Sequence, residues 1–430
     1  MQFDILIIGA GPSGLSTALH LAKHAPHLTD RILILEKEHH PRLKLCAGGL
    51  TADAEITLQR LGLDVSEIPH VDASAAHLDF AGKGLTISIP NKHALRIIRR
   101  NEFDAWLANK TRDKGIEIRE NVTVKNVQPR DDCVVVETDA GTFTAQIVVG
   151  ADGSNGITRR CILPNEAIHT ARVLEIIAPE QDVIARSIAL SGATTGSEVE
   201  ATATRQSTTK QEIASSGVPV HSLRSLLNHH SRNDTHKSED AYFDFFPVPD
   251  GIAGYTWDFP TQINGEPKRC WGIYDTNVLA YQKRPALKEP LAEEMKRHGF
   301  DLSAYEIKGH PIRWFSPFNQ FAVPRVILVG DAAGADGIFG EGISIALGSG
   351  LIAAKAIRDA IAKNDFSFRD YRRRILLSPL GQALTIRTGI THILYHLHWA
   401  WFQKFFWRVF KPVVAATAWL FVLNWAKRLR

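Results

Sequence analysis

Ile5–Ile8 is an unbroken apolar run that ends in glycines, and from Leu15 to about His24 the apolar positions then fall at helical spacing. A second unbroken run, Ile32–Leu35, lies inside "RILILEK". Continuous β-branched and leucine runs suit parallel strands covered on both faces, and a helical segment between two of them predicts a βαβ unit. Helical spacing returns over Arg99–Gly115, with a glycine as its stop. The stretches 116–128, 133–141 and 142–153 read as three short strands, with Asp139–Gly141 as a hairpin turn. Ala241–Thr261 and Cys270–Asp275 are also strand-like, a strand ends near Leu328, and a helix is predicted from about Gly342 to Ala362. Beyond it the pattern stays helical and becomes strongly aromatic. Ser191–Asp240 differs: it is polar, with little periodicity outside Val220–Leu227, and predicts an exposed insertion in a second domain.

The chain has 430 residues, 44% of them apolar and 22% charged, enough for two or three packed units. The formal charge is +4, yet residues 381–430 hold seven Lys and Arg and no acid, so the remainder is net acidic. The basic excess belongs to one tail, and no nucleic-acid face is expected. Cys46, Cys133, Cys161 and Cys270 are scattered with no CxxC pair, which argues against an iron–sulfur cluster or a zinc knuckle and fits a reducing, cytoplasmic setting. The opening residues have no basic n-region and their apolar run already serves as a strand, so a cleaved signal peptide is not expected.

Gly9, Gly11 and Gly14 form GxGxxG between the first strand and the first helix. In such a loop the first glycine allows the tight turn, the second lets the backbone approach a pyrophosphate and the third lets helix and strand pack closely. The free N–H groups of the helix start attract the phosphates, with Ser13 among them. Glu36 ends the second strand 22 residues after Gly14, where its carboxylate, with Lys37 beside it, can accept both hydroxyls of an adenosine ribose. This pattern predicts a dinucleotide but does not separate NAD from FAD.

Two later stretches bear on that choice. "VVGADGSNGITRR" closes a strand with Asp152 and a basic helix start, and "VILVGDAAGADGIFGEGI" does the same with Asp331. Asp331 at a strand end can take a ribitol hydroxyl. The helix after Gly342 can face the N1–C2=O edge of an isoalloxazine, which becomes negative on reduction. NAD has neither group. Singly, each aspartate reads equally as a helix cap; the three segments in this order favour FAD.

With "GAGPSGL", "KLCAGGL", "RRNEFDAWL", "GADGSNG" and "GDAAG…GEGI" in these positions, the chain resembles the flavoprotein superfamily of aromatic-ring hydroxylases (p-hydroxybenzoate hydroxylase-like) and geranylgeranyl reductases, over about Phe3–Ala360. "KLCAGGL", "GEGI" and "FPVPDGIAGYTWDFP" lean towards the reductases. The resemblance implies an α/β fold: a Rossmann-type, glutathione-reductase-like FAD domain (1–70, 95–165 and 310–370), an interleaved α+β substrate domain (71–94 and 166–309, with insertion 191–240) and a helical C-terminal region (371–430). It implies Cys46, Ala47 and Gly49 near the flavin ring and Arg100 reaching the cofactor from its helix. Val124 would meet adenine through its backbone, and Asp331, Gly342 and Ile343 would hold the ribitol and ring edge. Cys-Ala-Gly-Gly stands where those reductases carry a cysteine and three glycines, and the proline usual before the GEG turn is absent. Both departures touch the reacting face and leave the reaction type open.

Three activities remain. A flavin reduced by NAD(P)H, bound transiently because no second Rossmann motif is present, would reduce a C=C of a small hydrophobic, isoprenoid-type substrate. Alternatively it would oxygenate a substrate through a C4a-hydroperoxide, or pass electrons to a quinone or an iron–sulfur partner. Cys46 is a candidate proton donor or redox thiol, or simply a small packing residue. His392 and His396 sit four apart with no further ligand beside them, so no metal is expected. Residues 399–430 hold five of the nine tryptophans. The apolar stretch 412–426 is too short for a full crossing and suits either peripheral contact with the cytoplasmic membrane face or docking on protein.

Overall fold

The structure, a computed structural model, describes residues 2–80, 83–89, 91–166, 169–180, 240–244, 252–279, 286–397, 402, 405, 409 and 424–429. β1 (Gln2–Ile8) leads into α1 (Pro12–His24) and β2 (Ile32–Leu35), as the apolar runs predict. Then come β3 (Gly49–Leu50), α2 (Ala52–Arg60), β4 (His70–Ala73), β5 (Ala75–Phe80), β6 (Lys83–Ser88), β7 (Leu95–Ile98) and α3 (Arg100–Arg112). The region expected as three strands forms four: β8 (Glu117–Arg119), β9 (Val124–Pro129), β10 (Val134–Thr138) and β11 (Gly141–Gly150). The first stretch divides because Asn121 takes a φ of 58°, and the backbone on either side brackets Glu36 through Glu36 N–H to Arg119 O and Val122 N–H to Glu36 O, each 2.9 Å.

α4 (Ile157–Ile162) precedes β12 (Thr170–Pro179), β13 (Ala241–Asp244), β14 (Gly254–Ile263), β15 (Glu266–Asp275), α5 (Lys288–Arg297) and β16 (Lys308–Arg313). β17 (Ala322–Val323) and β18 (Val326–Leu328) lead to α6 (Ile343–Lys363), α7 (Tyr371–Leu377), α8 (Pro379–His396) and α9 (Trp425–Arg428). The first sheet runs β17-β18-β11-β1-β2-β8, with β10 and β9 added beyond β11. Its spine of β8, β2, β1, β11 and β18 is parallel. Ile5, Leu6 and Ile7 at its centre are fully buried: Ile5 and Ile7 pack in the core of α1 and α6, and Leu6 packs with Val127, Val134 and Val136 of β9 and β10 on the other face. β1 pairs with β2 on one side and β11 on the other, and a cleft opens at its carboxyl end, lined by Ile8, Gly9 and Gly11.

The second sheet runs β16-β12-β15-β14-β13-β5-β6 and is antiparallel except at the β13–β5 pair. A small sheet, β3-β7-β4, lies between. Of the insertion 191–240 only Asp240 lies within the described residues, where it accepts from Ser74, Ala75 and His77.

Most of the aromatic tail also lies outside the described residues, as does any membrane contact expected of it. Among those described, no helix is long and apolar enough to cross a membrane. Trp425, Ala426 and Leu429 are buried in the same core as α1, α2 and α6. The Trp425 ring occupies the space a Cβ on Gly348 would take. The Ala426 amide donates to Asp53 Oδ1 at 2.8 Å, and Arg60 donates to the Lys427 and Leu429 carbonyls. This end of the chain docks on protein.

Candidate functional site

Gly9 adopts φ 104°, and a Cβ there would lie 2.5 Å from Ala151 O, so β1 can turn this tightly only with glycine. Ala10 N–H donates to Glu36 Oε2 at 2.8 Å, tying the loop to the end of β2. The N-cap of α1 is Gly11, which supplies no side-chain acceptor, so the first amides of the helix are left for a ligand. Gly14 packs on the Gly9 carbonyl.

Gly330, at φ 56°, presses against Ser13, so the first and last glycine-rich turns touch. Asp331 follows in a single 3₁₀ turn, and a Cβ on Gly342, the uncapped start of α6, would lie 3.3 Å from Asp331 Oδ1. Burial pushes the Asp331 carboxyl up, while Lys44 and Arg100 oppose that shift.

These segments line one cavity of about 1200 Å³. Gly9, Gly11, Ser13, Glu36, Lys37, Cys46, Ala47, Gly49, Arg100, Val124, Asp152, Asp331, Gly342 and Ile343 all face it; Gly14, which acts from behind, does not. Asp152 does two things at once. Its Oδ2 caps α4 through the Thr158 amide at 2.8 Å and hydroxyl at 3.0 Å, while Oδ1 is buried without a partner among the described residues. Arg100 grips Asp104 through Nε and Nη2 at 2.8 and 2.9 Å, and Arg42 adds a contact to Asp104 at 3.3 Å. Cys46 Sγ accepts from Gly48 N–H at 3.4 Å, and burial pushes its thiol up.

The far side of the cavity is the inner face of the second sheet, where the sequence reading had no site residue. Cross-strand register sets Phe243, Trp257, Gly272 and Glu175 in one row and Tyr255, Tyr274, Val173 and His310 in the next. All but Gly272 line the cavity. Tyr274 OH donates to Gly337 O at 3.0 Å and Tyr255 OH to Phe339 O, which pins the rings to the loop before α6. Lys44 and His310 meet at 3.2 Å, and burial, with Lys44 and Arg100, holds His310 down to about 4. Arg387 on α8 reaches Glu341 at 2.6 Å and Asp336 at 3.2 Å, and Glu341 also accepts from Thr51 at 2.8 Å, fixing the GEG turn. Two signals could have found this face. One is the period-two aromatics Tyr255, Trp257 and Phe259; the other is the lone acid of "VLEIIA".

His392 and His396 stack at 5.6 Å, and His396 Nδ1 bonds His392 O at 2.9 Å. Among the described residues no three potential metal ligands gather.

The residues present fit flavin adenine dinucleotide. Two uncapped helix starts, a backbone that approaches closely at Gly9, the unpartnered Asp152 Oδ1 and the cavity-facing Glu36 and Asp331 match its phosphates and hydroxyls in order. The cavity, at about 1200 Å³, exceeds the roughly 300–1,000 Å³ of an ordinary small-molecule pocket.

Comparison with known proteins agrees. A family model for an FAD binding domain matches residues 2–216. The chain is 27% identical over 375 residues to an uncharacterized protein of Methanosarcina barkeri, Mbar_A1602, covering 87% of this chain and 79% of that one. It is 24% identical over 404 residues to Protein FixC of Salmonella typhi, covering 88% and 82%. The crystal structure of a geranylgeranyl bacteriochlorophyll reductase-like protein from Thermoplasma acidophilum superposes with a TM-score of 0.70 at 17% identity, covering 99% of this chain and 98% of that one. Halogenase PltM gives 0.66 at 17% identity, covering 99% and 82%. These last two share the fold. The chain belongs to the FAD binding domain family and is an FAD-dependent oxidoreductase.

Proposed function

We propose that this oxidoreductase is a reductase that saturates a C=C bond of a hydrophobic, isoprenoid-type substrate, with NAD(P)H as the transient electron donor. The observation that carries the reading is the aromatic chamber formed by Phe243, Tyr255, Trp257, Phe259 and Tyr274, continuous with the dinucleotide cleft. A wall of this kind favours an apolar ligand by area removed from water and gives few groups that would orient a polar one. FAD supplies hydride chemistry when bound. The protein's part is to hold it: α1 and α6 present amides, Glu36 and Asp331 accept hydroxyls, and Arg100 neutralises nearby charge. Tyr255 and Tyr274 brace the loop before α6, so that the chamber keeps its shape. The motifs "KLCAGGL" and "GEGI" support the same branch of the superfamily.

The test is anaerobic. Purified protein is reduced, a prenyl alcohol such as geranylgeraniol is added in detergent, and flavin reoxidation is followed at its visible band with product analysed for saturated bonds. Reoxidation with saturation supports the reading. Product that forms only with oxygen would show oxygenation instead, and reoxidation only by a quinone or an iron–sulfur protein would show electron transfer; either outcome overturns the proposal.

A further inference from the structure

Glu175 is an acid in the wrong place for stability alone. It lies on β12 in the row Phe243–Trp257–Gly272–Glu175, on the face of the second sheet that forms the aromatic wall. It is 4% exposed, lines the cavity, and its Oε2 has no hydrogen-bond partner among the described residues. A buried carboxyl oxygen without a partner costs free energy, so such groups persist chiefly where they act. Gly272 in the same row explains how the acid meets the chamber. With no side chain between them, the Trp257 ring leans over Gly272 towards Glu175. From the other side the Cys46 amide acts on the same carboxyl, so Glu175 sits between the aromatic wall and the loop that the family resemblance brings to the flavin.

We propose that Glu175 is the proton donor of the reduction. With an alkene in the chamber, its O–H gives the proton to one carbon of the double bond as hydride from reduced FAD bonds to the other. The π pair becomes the new C–H bond at the protonated carbon. Both electrons of reduction come from the hydride, and the carboxylate left behind regains its proton from water. The inference rests on the reductase reading above.

The other acids near the chamber are less suited. The Tyr255 and Tyr274 hydroxyls are engaged with the carbonyls of Phe339 and Gly337, and burial pushes both phenols well up. The Cys46 thiol is also pushed up. His310 faces Lys44 and stays neutral down to about pH 4. Burial raises Glu175 to about 7, against the pull of Arg99, the Cys46 amide and Lys308, while the thiols of Cys46 and Cys270 lie near it. A group poised there holds its proton at neutral pH and can release it.

Two measurements test this. In the first, dithionite-reduced wild type, Glu175→Gln and Glu175→Asp are mixed anaerobically with geranylgeraniol, and reoxidation is timed in a single turnover. We expect Glu175→Gln to hold FAD with an unchanged visible spectrum and to be reoxidised about 10²–10⁴-fold more slowly, with the decline above pH 7 abolished. Glu175→Asp should recover part of the rate. In the second, the infrared difference between oxidised, FAD-loaded wild type and Glu175→Gln, both without substrate, should show a protonated-carboxyl band at pH 6. That difference band should vanish as pH rises through about 7. Wild-type reoxidation rates in Glu175→Gln, or a carboxyl band that the substitution leaves untouched, would overturn the assignment while the reductase reading stands. A wild-type flavin that the prenyl alkene cannot reoxidise without oxygen overturns both.

Discussion

Lys44 Nζ lies 3.2 Å from His310 Nε2, a contact between residues 266 positions apart that joins the loop after β2 to the edge strand of the second sheet. The lysine donates and the imidazole accepts, so the pair holds only while His310 is neutral. Burial is the main cause of its lowered basicity, and Lys44 adds to it. Replacing Lys44 by Met should therefore raise the histidine from about 4 towards its ordinary 6.5, as followed by the NMR shift of its ring proton with pH. Because the folded form resists protonation, its stability contribution is complete above pH 6.5 and is lost as pH falls towards 4. An unmoved histidine in Lys44→Met would show that the contact plays no part.

Gly9→Ala should yield protein that folds but purifies pale. The substitution forces an L side chain into φ 104° and sets its Cβ 2.5 Å from Ala151 O. Strain of about 1–3 kcal/mol in the loop that carries the pyrophosphate predicts roughly 5–150-fold weaker retention of FAD. The ratio of visible to ultraviolet absorbance after dialysis measures it, and wild-type colour would contradict the assignment of this loop.

The same Glu175 that the chamber buries has a cost that can be read without any turnover. Its folded value of about 7 stands above the ordinary 4.5, so its contribution is intact below pH 4.5 and is lost as pH rises through 7. Glu175→Gln should match wild type in urea unfolding near pH 4 and exceed it at pH 8 by up to roughly 3 kcal/mol. Equal stability at both pH values would mean that the carboxyl is not desolvated.

Asp53→Ala should loosen the end of the chain from its dock. The Ala426 amide would lose its acceptor inside the core, at a cost of about 1–3 kcal/mol. We expect a lower melting temperature and faster proteolytic clipping before Asn424, read by mass spectrometry. Unchanged clipping would show that the Trp425 ring alone holds the segment.

The cofactor half of the molecule was legible in the residues. Unbroken runs such as Ile5–Ile8, flanked by glycines, suit covered parallel strands, and glycines at strand ends mark backbone contacts that leave a local trace. The second half was harder for a physical reason. Glu175, Gly272 and Trp257 become neighbours only through antiparallel register between strands far apart in the chain, and no local spacing encodes that register. Lys44 with His310, and Arg387 with Glu341, are likewise products of tertiary closure. Asp152 shows the reverse case: it caps a helix and still faces the cleft.

Trp425 fills the notch that Gly348 leaves in α6, the helix whose first turn faces the flavin cleft. During synthesis this plug emerges only after every strand of both sheets has been made. A nascent chain thus reaches a stage at which it has all the residues that would grip the cofactor, yet α6 still shows bare hydrocarbon where the indole belongs.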